Sequence, residues 1–160
     1  MAQANIKLAE GVQTVIQIRD FMLISDEPVS DGGTNLGPTP KELMVAALGA
    51  CAAITARLYA ARKGWALESV EIDASTDRFP ASDYPLYSGE EGFVHEFKQR
   101  MVFKGDLTLE QKTRLLEIAA RCPVHRALTE PNVMLEELVD EIIANEAYPN
   151  SNCRRAVLGC

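Results

Sequence analysis

The stretch Glu42–Lys63, ELMVAALGACAAITARLYAARK, constrains this chain more than any other. Its start carries Thr39-Pro40-Lys41-Glu42: a threonine cap, proline at the first helical position, and glutamate three residues after the cap. That pattern predicts a capping box. Arg62, Lys63 and Gly64 supply basic groups and a terminating glycine at the other end. Between Leu43 and Ala56 no side chain is charged. A helix apolar on every side belongs in a core or a membrane. The uncharged run stops at Arg57, short of the roughly 20 residues a membrane span needs. The expectation is a buried core helix with Cys51 near its middle. A thiol there is either inert filler or a sheltered reactive centre.

The 160 residues fit one domain, Met1–Cys160, with a core over about 12–138 and a tail over about 140–160. A net charge of −7 argues against nucleic acid or an anionic membrane surface as partner. No basic segment followed by an apolar run opens the chain, so the expected compartment is the cytoplasm, where structural disulfides are rare. Cys51, Cys122, Cys153 and Cys160 form no CxxC pair, and no structural zinc site or other metal is expected. Cys153 and Cys160 fall in the tail and are read as accessory.

Residues 4–25 read as two or three strands, with a turn at Arg19-Asp20. The Gly/Pro/Asn-rich stretch after Pro28 is a loop leading into the helix. Val70–Ser75 alternates as a half-buried strand. Residues 79–92 form a long loop in which Tyr84 and Tyr87 could cover a pocket. Phe93–Phe103 is a long strand with His95 on its apolar side, better read as a core or edge histidine than as a base. Thr108-Leu109-Glu110-Gln111 is a second capping box, opening an amphipathic helix. Pro123 makes Cys122 the cap of a further short helix, and Val133–Leu138 reads as a closing strand. Strands, one buried helix, a long antiparallel hairpin and two helices make an α+β fold.

Two thiols are candidates for chemistry. Cys122, at a helix start with Arg121, His125 and Arg126 close in sequence, is expected to be the more easily ionised. Cys51 lies in an apolar setting and would need a cation from elsewhere in the fold.

Gly37-Pro38-Thr39-Pro40-Lys41-Glu42-Leu43, the run to Gly49-Ala50-Cys51, Tyr59–Lys63 and Cys122-Pro123-Val124-His125 together resemble the OsmC/Ohr family, the osmotically inducible and organic hydroperoxide resistance proteins. The likeness spans about residues 12–138. It implies antiparallel sheets wrapped around the central helix in an intertwined homodimer, with thiol peroxidase activity at the interface and no cofactor. Carried over, Cys51 would attack an organic hydroperoxide, or hydrogen peroxide, and become a sulfenic acid. Cys122 would resolve it as a disulfide. A lipoylated protein or small dithiol would restore the pair. The family also uses an arginine and a glutamate, for which Arg19 and Glu42 are the candidates here. Lys41 stands where the better known branch has its glutamate; capping is a sufficient explanation of Glu42, and Arg19 reads first as a solvated strand residue. Two other readings stay open: a thiol-based redox sensor or hydrophobic-ligand-binding dimer of the same fold, and a metal site from Cys51, Cys122 and His125.

Overall fold

The computed structural model describes residues 2–8, 10–84, 87, 89 and 92–142. Five strands and three α-helices follow in the order β1 (Asn5–Leu8), β2 (Thr14–Ile18), β3 (Phe21–Ser25), α1 (Pro40–Lys63), β4 (Ala66–Pro80), β5 (Phe93–Asp106), α2 (Leu109–Ala119) and α3 (Pro123–Thr129). Single 3-10 turns lie at Val29–Asp31 and Ala81–Asp83. Both sheets are antiparallel, one of order β1-β2-β3 and one of β4-β5.

The helix starts follow from local chemistry. Thr39 accepts from the Glu42 amide, and the Glu42 carboxylate accepts from Thr39 N–H at 2.7 Å. Thr108 and Gln111 close the same reciprocal pair at α2. Gly64 ends α1 at φ 65°, where a side chain would be strained. The loop before α1 is organised by Asp26, which is only 1% exposed. Its carboxylate accepts from the Thr34 hydroxyl at 2.6 Å and from the amides of Glu27, Thr34 and Leu36. The Thr34 hydroxyl, followed by the Leu36 amide, holds this carboxyl at about 2, well below the usual range.

The core lies between α1, the β4–β5 hairpin, α2 and α3. Leu48, Ala52, Ala56 and Ala60, spaced by four, are buried along one ridge of α1. They meet Leu67, Phe103, Leu115, Ala119 and Cys122. The alternation of β4 and β5 places Ile72, Ala74, Phe97 and Met101 toward α1 and charged residues outward. On the outer face Arg100 pairs with Asp73, and Lys104 with Glu71, across the two strands. Arg57 donates to the carbonyls of Leu67 and Glu68, tying α1 to the irregular step between Leu67 and Ser69.

Several expectations change. The strand expected at Val70–Ser75 runs from Ala66 to Pro80, and β5 continues past Phe103 to Asp106, because the two pair along nearly their whole length. The long loop is correspondingly shortened, and parts of it lie outside the described residues. Val133–Leu138 forms no strand; Val133, Leu135 and Leu138 are 81–100% exposed and pair with no strand among the described residues. The tail from 143 onward, with Cys153 and Cys160, lies outside the described residues. α1 is not buried all round: Ile54 and Leu58 are 60% and 59% exposed, and Ala47 and Ala50 continue that stripe. By length and composition α1 is apolar enough to cross a membrane, contrary to the sequence expectation. Its inner ridge packs against β4, α2 and α3 as a core helix does.

Truncating Leu48 to alanine removes a fully buried side chain from that ridge and is expected to destabilise the fold by about 2–5 kcal/mol, read from the denaturant midpoint. Asp26 makes its contribution above the ordinary carboxyl value of 3.8 and loses it as pH falls through about 2. Thermal melts of Asp26→Asn should therefore show a lower melting temperature at neutral pH and a shallower loss of stability on acidification.

Candidate active site

Two elements bring the thiols together. Cys51 sits at mid-length of α1, half-buried beside the exposed Ala47–Leu58 stripe. Cys122 follows the turn that ends α2 and is 0% exposed. The two lie 3.7 Å apart, and both are free. Cys122 also caps α3: its backbone is extended (φ −65°, ψ 156°) and its sulfur accepts from the His125 amide at 3.4 Å.

Burial works against the expected easy ionisation of Cys122. Desolvation pushes its thiol up, the His125 amide pulls the other way, and contact with the Cys51 thiol raises it again. The nearby cations do not compensate. Arg121 is exposed, and Arg126 is engaged with Glu130 at 2.7 Å on the outside of α3. Cys122 is thus held as a neutral thiol in a closed site, while Cys51 has access to the surface.

Arg19 lies at the tip of the β2–β3 hairpin in the left-handed region (φ 54°), its guanidinium 5.1 Å from the Phe21 ring centre. No hydrogen bond or ion pair among the described residues joins it to either cysteine. Glu42 is exposed and occupied by its capping bond. Nine residues is two and a half turns, so Glu42 points from the opposite side of α1, about 13 Å along the axis. There it lines an open groove of about 610 Å³ between α1 and β4, with Lys41, Val45, Gly49, Asp73 and Thr76. Neither Tyr84 nor Tyr87 lines this groove. Tyr84 instead donates to Glu96 at 2.5 Å, and this bond pushes its hydroxyl up to about 12. His95 is exposed beside Arg78 on the hairpin. Among the described residues no group of three or more His, Cys, Asp or Glu is placed to hold a metal ion, so Cys51, Cys122 and His125 make no such site.

Sequence reasoning missed the outward apolar stripe of α1. The absence of any charge from Leu43 to Ala56 signalled burial, but not which face this chain's own elements cover.

The site thus consists of a half-buried thiol touching a buried one within an α+β chain. The OsmC-like protein family model matches residues 32–137, and the chain belongs to the OsmC/Ohr family. Solved structures share its fold. An OsmC like protein from Mycoplasma pneumoniae is 18% identical, with 81% of this chain and 88% of that chain covered at a TM-score of 0.65. An organic hydroperoxide resistance protein OsmC from Legionella pneumophila is 20% identical, covering 81% and 90% at 0.61. An organic hydroperoxide resistance protein from Elizabethkingia anophelis is 18% identical, covering 81% and 89% at 0.61. No curated protein matches the chain.

The difference between the thiols is open to a direct check. A limiting dose of iodoacetamide at neutral pH should alkylate Cys51 at least roughly tenfold faster than Cys122, because the thiolate is the nucleophile and burial suppresses it. Peptide mass mapping reads the ratio, and equal labelling would contradict the closed environment of Cys122.

Proposed function

We propose that the protein is a thiol-dependent peroxidase that reduces organic hydroperoxides through Cys51 and Cys122. The observation that carries this reading is the contact of two free thiols at 3.7 Å, one half-buried and one closed off. The Cys51 thiolate attacks the terminal peroxide oxygen and the O–O bond breaks. The alcohol leaves after taking a proton, and Cys51 carries a sulfenic acid. The Cys122 thiol then attacks that sulfur, forming the disulfide and releasing water. Two electrons have passed from the thiol pair to the peroxide. A dithiol, free or as a lipoyl group on a protein, returns them by exchange. The organic hydroperoxide resistance proteins that share the fold support the reading by their name.

The working unit in this reading is a single-domain homodimer in the cytoplasm, where both thiols are kept reduced. Exposed apolar side chains support the dimer. Ile54 and Leu58 on α1, and Ile6, Leu8, Phe21 and Met22 on the first sheet, are all more than half exposed. Large apolar patches of this kind mark interfaces. Arg19 and Glu42 are retained as positioning candidates, and either would have to act from the second copy or after rearrangement. The apolar stripe next to Cys51 suits the organic part of a hydroperoxide better than a polar substrate.

One equivalent of an organic hydroperoxide should remove two thiols per chain, with Cys51 and Cys122 found joined by mass mapping. Cys51→Ala should lose activity to background, and Cys122→Ala should stop after one turnover or over-oxidise. Survival of both thiols in excess peroxide would refute the peroxidase and leave a thiol-bearing sensor or binding dimer.

A further inference from the structure

Cys122 holds two positions at once: it is the partner nearest Cys51, and it is the side chain that fastens the start of α3. It cannot keep both after oxidation. A disulfide requires the sulfurs to close to about 2.05 Å from their separation of 3.7 Å. Cys51 is carried by a helix anchored at Leu48, Ala52 and Ala56, whereas Cys122 sits in the connection between two helices. The movement therefore falls on Cys122, away from the His125 amide. α3 has only seven residues, too few to hold a helix without its cap and tertiary contacts. Val124 in its first turn packs on the core beside Cys122. At the other end Asn132 donates to the carbonyls of Ala127 and Glu130, clamping the segment that follows.

We propose that α3 is a redox-operated cover: capped and closed over Cys122 in the dithiol form, unfastened when Cys122 is drawn into the disulfide. A dithiol reduces the bond by approaching either sulfur in line; Cys51 already reaches the surface, whereas Cys122 is wholly enclosed in the reduced protein. Unfastening α3 opens the Cys122 sulfur to the reductant as well, and α3 closes again once Cys122 regains the His125 amide. This inference deepens the peroxidase reading but needs only that the two thiols can be joined.

The test uses the full chain and diamide, which takes two electrons and two protons from a thiol pair without any peroxide chemistry. Hydrogen exchange of residues 123–130 is measured in the dithiol form, after diamide, and after dithiothreitol. With the Cys51–Cys122 bond confirmed by mass, exchange should rise roughly fivefold or more, the effect expected of losing a cap, and fall back on reduction. Cys122→Ser keeps a capping oxygen and should show slow exchange with or without diamide. A confirmed disulfide with unchanged exchange would overturn the cover, as would failure of diamide to join the pair or equal acceleration in Cys122→Ser. If diamide joins the thiols and an organic hydroperoxide does not, the peroxidase reading fails while the cover is still judged on its own exchange data.

Discussion

Everything in this fold is referred to the contact between one ridge of α1 and the layer beneath it. Three of the four buried residues on that ridge are alanines, so the helix can lie close to the β4–β5 hairpin and to α2. Close approach is worth many small dispersion contacts at once, and it fixes the height at which every other side chain of α1 stands. Cys51 is one residue before Ala52 on the same helix, so its distance to the α2–α3 turn is set by alanine packing rather than by any bond of its own. Leu115 and Ala119, both fully buried, fix the other side by pinning the last turns of α2 just ahead of Cys122.

Much of this was legible in the sequence where the physics is local. Both capping boxes are three-residue patterns, and both helices start where those patterns put them. The same holds for Cys122 before Pro123 and for the turn at Arg19-Asp20. What the sequence hid is non-local. The ionisation of Cys122 depends on how deeply α1, α2 and α3 bury it, and sequence neighbours such as Arg121 turned out to face solvent. The reach of β4 and β5 depends on mutual pairing, which no window of one strand contains. Val133–Leu138 has strand-like composition but pairs with no strand among the described residues. For the site, the two cysteines could be read in advance, whereas the surroundings of Arg19 and Glu42 depend on folding at long range.

The two thiols differ in solvation. Desolvation disfavours a charged sulfur, so the enclosed Cys122 is kept protonated, while Cys51 stands near the surface. The contrast needs no difference in residue type, only in depth. The side of Cys51 that faces outward is bordered by an uncovered apolar stripe rather than by this chain's own polar groups.

The β4–β5 hairpin has a consequence for behaviour in a crowded solution. A two-stranded sheet leaves the backbone groups of both outer edges without strand partners, an invitation to stack with other chains. Here the strands are 15 and 14 residues long, so the invitation is a long one. The outward-facing row of Glu71, Asp73, Arg100 and Lys104 meets it with charge of both signs. A second chain sliding alongside in extended form would have to bury or displace those ions, which is costly. The pairs contribute little to folding at an exposed surface, yet they add a desolvation cost to any chain that packs over them.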